Sequence, residues 1–76
     1  MEADIVVDAK FKSCPGPLIL LAEAVSKAKP KQVVLLQATD PAAPSDIREW
    51  VSSVGHKLLD VKKVDDRYEI YVEVSG

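Results

Sequence analysis

The sequence predicts a fold of the α+β class: a two-layer α/β sandwich with a four-stranded mixed sheet and two helices packed on one of its faces. Three observations point to it. Apolar and polar residues alternate near both ends of the chain, two stretches between them repeat their apolar residues at helical spacing, and an unbroken apolar run separates those two stretches. Taken in order the elements read βαβαββ. Amphipathic helices and a sheet with an apolar face each need an apolar partner, and stacking the helices on one sheet face gives both a common core.

Residues 3–9 form the first strand, with Ala3, Ile5, Val7 and Ala9 on one side and Asp4 and Asp8 on the other. From Pro17 to Lys29 the pattern turns helical. Leu18, Leu21, Ala22, Val25 and Ala28 make a stripe at i, i+3, i+4 and i+7. At about 100° per residue, Leu20 falls beside Glu23 and Lys27 on the far side and Ile19 lies between the faces, so both are apolar groups outside the expected core. Lys29-Pro30-Lys31 ends the helix, and the run from Gln32 to Ala38, apolar on both faces, reads as a central strand. Two strands joined by one helix make a right-handed parallel βαβ unit. The carboxyl ends of both strands then share one sheet edge, which brings Thr39-Asp40-Pro41 near the loop that precedes the first helix.

Pro41 to Pro44 is a loop. Ser45 or Asp46 is the expected cap of the second helix, with Glu49 placed to complete a capping box with Asp46. Ile47, Trp50, Val51 and Val54 form its expected buried stripe, and Gly55 its left-handed stop. Residues 57–64 make a less regular strand, and Asp65-Asp66-Arg67 turns the chain. In the last strand Tyr68, Ile70, Val72 and Val74 alternate with Glu69, Tyr71 and Glu73, which leaves the second set on the bare sheet face.

The chain has 76 residues, 47% of them apolar and 29% charged, which suits one globular domain over residues 1–76 but leaves no room for a deep cleft. The chemistry is therefore expected at the surface. A net charge of −2 argues against a chain built to coat nucleic acid, and no direct nucleic-acid contact is expected. No apolar run approaches the roughly 20 residues of a membrane span, so no membrane partner is expected. The acidic start Met1-Glu2-Ala3-Asp4 does not resemble a signal peptide, which makes a reducing cytoplasm the expected location. One cysteine and one histidine cannot supply a closed metal site, so neither metal nor cofactor is expected.

That single cysteine lies in Ser13-Cys14-Pro15-Gly16-Pro17, at the expected start of the first helix. Unpaired backbone N–H groups and the positive end of the helix dipole favour thiolate over thiol there, which makes the sulfur nucleophilic near neutral pH. Pro15 and Pro17 suit a first helical turn and remove two early donors, leaving Gly16 and Leu18 as the nearest N–H groups. Gly16 lets the sulfur, or one more atom attached to it, approach the backbone closely. Lys10 and Lys12 are placed to favour an anion at Cys14, while Asp40 and Asp46 act in the opposite direction. Ile19, Leu20, Asp40 and Asp46 are the candidate partner-docking residues. His56, just after the helix-stopping Gly55, is expected at the opposite end of the sheet.

Cys14-Pro15-Gly16-Pro17 has the form Cys-Pro-x-Pro. It is preceded by Val7-Asp8-Ala9 and followed by Ala38-Thr39-Asp40-Pro41, Asp46-Ile47 with Trp50, and Gly55-His56 with Leu58-Leu59. In this order and spacing the series resembles the TusA-type, or SirA-like, sulfur carriers over nearly the whole chain. One departure is visible: members commonly read Gly-Leu where this chain has Phe11-Lys12. The resemblance implies the same βαβαββ sandwich and a carrier whose cysteine, Cys14 here, holds sulfane sulfur as a persulfide. It implies relay partners as well: a desulfurase or rhodanese-like donor, and acceptors in tRNA thiolation, cofactor synthesis or sulfur oxidation.

The residues support such a relay independently. It needs a nucleophilic and reachable thiol, and no second cysteine to expel the carried sulfur by closing a disulfide. The alternative is a regulatory or interaction module in which Cys14 is redox-sensitive or idle and the sheet face around Tyr71 recognises a protein or RNA.

Overall fold

The computed structural model describes residues 2–13 and 16–75. Its elements follow the expected order: β1 (Ile5–Ala9), α1 (Gly16–Lys27), β2 (Val33–Ala38), α2 (Ala43–Val54), β3 (Lys57–Val64) and β4 (Arg67–Glu73). The strands form one mixed sheet in the spatial order β1-β2-β4-β3. β1 runs parallel to β2, whereas β4 is antiparallel to both β2 and β3. α1 packs over β1 and β2, α2 over β3 and β4, and the two helices touch each other. The apolar run of β2 explains its central place. Val34, Leu36 and Ala38 face the helices while Leu35 lies on the other side of the sheet, and all four are buried.

The core joins every layer. Leu21 and Val25 of α1 and Ile47 and Val51 of α2 meet Val34 and Leu36 of β2 and Ile70 and Val72 of β4. Each such side chain contributes about 1.5–3 kcal/mol by leaving water. Three connections tie the ends of the strands. Asp4 donates its N–H to the Val33 carbonyl at 2.8 Å and accepts the Val33 N–H through its carboxylate at 2.8 Å. Lys31, in the left-handed region at φ 70°, donates to the Val74 carbonyl at 2.6 Å.

Several expectations are corrected. Leu20 packs against the core together with Leu18, Ala24 and Ala28, while Ala22 is only half-buried. α1 sits against two strands and against α2, so its buried sector is wider than one sheet contact would make it. α2 begins at Ala43, earlier than a Ser45 or Asp46 cap allows. Ala42 is the N-cap, without a side-chain cap bond, and Pro44 stands in the first turn. The earlier start adds Ala43 to the buried row of Ile47 and Val51, four residues before Ile47, while Val54 at the end of the helix is 47% exposed. Trp50 is half-buried and lies against the core's margin.

Tyr71 does stand on the sheet face away from the helices, level with Leu35 on one side and Asp60 on the other, yet it is only 7% exposed. The Lys62 ammonium lies 5.8 Å from its ring centroid, and an Arg67–Glu69 ion pair at 3.3 Å lies one row along the same face. The interaction-module alternative thus loses the aromatic it relied on. The outer strand β3 carries exposed Lys57, Lys62 and Lys63, charges that discourage edge-to-edge pairing with another sheet.

Candidate functional site

The parallel pairing of β1 with β2 fixes where the sequence-predicted site elements meet. Ala9 is level with Ala38, so the segments following both strands leave the sheet at one edge. They are joined there by a hydrogen bond: Phe11 donates its N–H to Thr39 Oγ1 at 2.9 Å. The loop from Lys10 to Ser13 and the Thr39-Asp40 corner are thus neighbours, as the βαβ argument required.

Residue by residue, this loop is tightly specified. Lys10 donates its N–H to the Asp8 carboxylate at 3.0 Å, and Lys12 donates to the Ala9 carbonyl at 3.3 Å. Between them Phe11 adopts φ 64° with its ring 89% exposed. A bulky L-residue in that region brings its Cβ against the following carbonyl, at a cost of roughly 1–2 kcal/mol. This is the position at which the resemblance expects glycine, and the backbone keeps the glycine-like conformation although the side chain has changed.

Ser13 accepts the Gly16 N–H through its carbonyl at 2.7 Å. That N–H is therefore already engaged, which corrects the expectation that it stays free for a sulfur-borne group. Gly16 owes its lack of a side chain to a different neighbour: a Cβ there would lie 3.1 Å from Lys12 Cβ. Pro17 is fully buried, which makes it a packing element of the first helical turn. Lys10 is half-buried and Lys12 exposed. Cys14 and Pro15 lie outside the described residues, and so does the expected place of Cys14 at the start of α1.

The proposed docking residues separate. Ile19 is 52% exposed, in keeping with its expected place off the core, whereas Leu20 is committed to the core. Asp40 shapes the chain: its carboxylate accepts the Ala42 N–H at 3.0 Å and its carbonyl accepts the Ala43 N–H at 3.0 Å. It thereby does the work expected of Asp46 at the start of α2. Asp46, relieved of capping, lines an open groove of 370 Å³ between the helices with Leu18, Glu49, Trp50 and Ser53. Sequence reasoning missed this groove. The signal was the i, i+3, i+4, i+7 spacing of Asp46, Glu49, Trp50 and Ser53, which places all four on one helical face.

At the other end of the sheet Gly55 takes φ 84°, and the N–H groups of Gly55 and His56 both donate to the Val51 carbonyl at 3.1 Å. His56 accepts the Ser75 N–H at Nδ1, 3.1 Å away, and tilts against Trp50 at a centroid distance of 5.8 Å. Its bonding is structural, and it sits away from the Lys10–Ser13 loop, as expected.

Comparison with known proteins decides the lineage. The family model for sulfurtransferase TusA matches residues 5–74, and so spans every element from β1 to β4. The chain belongs to the TusA family. It is 38% identical over 69 residues to an Archaeoglobus fulgidus protein named "Putative sulfur carrier protein", covering 91% of this chain and 94% of that one. It is 26% identical over 68 residues to the sulfur carrier protein TusA of Buchnera aphidicola, covering 90% and 86%. The crystal structure of a SirA-like protein from Desulfitobacterium hafniense superposes with a TM-score of 0.81 at 18% identity, over 95% of this chain and 99% of that one, and shows the same fold. A sulfur carrier role, with partners in a sulfur relay, goes with TusA membership. Among the described residues no helix is long and apolar enough to cross a membrane.

Proposed function

We propose that Cys14 carries sulfane sulfur as a persulfide between a donor protein and an acceptor protein in the cytoplasm, the single 1–76 domain acting as a carrier that turns over no small-molecule substrate of its own. The observation that carries this reading is the TusA match over residues 5–74, which contains the chain's one cysteine within Cys14-Pro15-Gly16-Pro17. In the first step the Cys14 thiolate attacks the outer sulfur of a donor persulfide. The bond between that sulfur and the donor breaks, the donor leaves as a thiolate, and Cys14 becomes Cys14-S-SH. An acceptor thiolate then attacks the same outer sulfur and Cys14 departs as thiolate. Each step exchanges one S–S bond for another, so no external oxidant or reductant is consumed.

The surroundings support such an exchange. The loop before Cys14 has its backbone held by Asp8, Ala9 and Thr39, which fixes Lys10, Phe11 and Lys12 in succession. Lys10 and Lys12 put two positive charges in that loop, and Pro17 anchors the turn that follows. With one cysteine in the chain, the carried sulfur has no internal thiol to expel it.

Intact-mass measurement after incubation with a persulfide donor tests the reading. One added sulfur atom is expected on the wild type and none on Cys14→Ser; equal loading of the two proteins would refute it. Repeating the incubation with a donor that carries a thiosulfonate, donor-S-S-SO3⁻, tests that cargo: attack by the Cys14 thiolate expels the donor thiolate, and the wild type alone should gain the mass of the S-SO3 group.

A further inference from the structure

The groove between the helices combines apolar surface with negative charge. Leu18 and Trp50 supply apolar surface, and Asp46 and Glu49 supply two carboxylates three residues apart on α2. Asp46 lies in the first turn of α2, where the helix dipole favours a carboxylate, whereas Glu49 stands a turn further on and repels it. Neither carboxylate is satisfied internally: among the described residues the ion pairs are Lys62–Asp60 and Arg67–Glu69, and no side-chain hydrogen bond reaches Asp46 or Glu49. Trp50 is half-buried in the groove, with one side held by the His56 ring. The groove also opens beside the first turn of α1, the turn that Cys14 directly precedes in the chain.

An aromatic surface next to two unpaired carboxylates suits a cation carried on an aliphatic stem. The stem lies along Leu18 and the indole while the charged head meets the carboxylates, and a guanidinium or ammonium over an indole face gains further from the ring quadrupole. An anionic ligand would be repelled. A bare metal ion fits poorly, since no group of three or more ligating side chains exists among the described residues. We propose that this groove docks an arginine- or lysine-bearing segment of the protein that exchanges sulfur with Cys14. The identity of the partner rests on the relay reading above; the chemistry of the groove does not. The groove would thereby hold a basic partner segment beside the first turn of α1, whose Leu18 follows Cys14 by four residues in the chain.

Trp50 is the chain's only tryptophan, so its fluorescence reports on the groove directly. The probe is the peptide acetyl-Leu-Arg-Leu-Arg-amide, with acetyl-Leu-Glu-Leu-Glu-amide as its charge-reversed control. The arginine peptide is expected to shift Trp50 emission saturably, the glutamate peptide to leave it unchanged, and added salt to weaken the response. An Asp46→Asn/Glu49→Gln double variant should bind the arginine peptide roughly tenfold more weakly, the worth of two partly exposed ion pairs. Cys14→Ser should bind it like the wild type.

Equal binding of the two peptides, wild-type affinity in the double variant, or no response to millimolar arginine peptide would each overturn the proposal. Emission that changes with protein concentration alone would do so too, by assigning the groove to a second copy of the chain. Loading from inorganic polysulfide separates the two readings. Loaded to completion, the double variant should carry the same one added sulfur as the wild type, and a wild type that binds the peptide but takes up no sulfur would defeat the relay while leaving the groove standing.

Discussion

Gly55 behind α2 and Phe11 ahead of α1 share an unusual backbone, at φ 84° and φ 64°, on opposite edges of the sheet. They reach it on very different terms. Gly55 has no side chain to clash, and two N–H groups meeting the Val51 carbonyl close the helix around it. Phe11 is a bulky residue in a region that disfavours it, its ring is 89% exposed, and it gains no burial in return. What holds it is external: the Thr39 hydroxyl takes its N–H, and Asp8 and Ala9 fix the residues on either side. The comparison teaches that the corner at Gly55 is built for stability, whereas the loop at Phe11 keeps a backbone shape at some cost, three residues ahead in sequence of the one that carries the proposed chemistry.

Three substitutions sharpen or break that contrast. The largest effect is expected from Gly55→Val, which puts a β-branched residue at φ 84°. Although no atom lies within 4 Å of an added Cβ there, the backbone alone should make the variant about 2 kcal/mol less stable in urea denaturation. An unchanged midpoint would mean that the corner relaxes freely, and the contrast would fail. Thr39→Val comes next. It removes the acceptor of the Phe11 N–H across the sheet edge, and because Phe11 is exposed, water replaces part of the bond, so about 1 kcal/mol is the expected loss.

The smallest effect has the opposite sign. Phe11→Gly relieves the left-handed strain but adds freedom to the unfolded chain, for a net gain of roughly 0.5–1 kcal/mol. Destabilisation by this variant would show that the exposed ring makes a contact that offsets the strain. Combining it with Thr39→Val tests whether the hydroxyl acts through the strained backbone: the two changes should be non-additive, because both act on one loop conformation.

The βαβαββ order, the ends of β3, the stop at Gly55 and the alternation of β4 all follow from local signals: period, proline, and a glycine where a left-handed turn is needed. The shared edge of Thr39 and the Lys10–Ser13 loop was legible as well, since a short crossover leaves only one handedness for a parallel pair. Cys14 stood out as the single cysteine, followed by two prolines and a glycine in Cys14-Pro15-Gly16-Pro17. Leu20, Asp46 and Trp50 were placed less well, each for a reason that periodicity does not hold. Leu20 is drawn in because α1 touches β1, β2 and α2 together, and a helix with three neighbours buries more than one stripe.

The sequence alone determined which residues alternate, where the helices stop and which thiol is available, because these depend on residues within a turn or two of one another. Only the tertiary structure decided that Leu20 joins the core, that Tyr71 is covered on the face away from the helices, and that Leu18 of α1 lines a groove with Asp46, Glu49 and Trp50 of α2. Each of those outcomes is a choice among hydrogen-bonding or packing partners of nearly equal local merit. It is made by which groups the assembled sheet and helices bring within a few ångströms of one another.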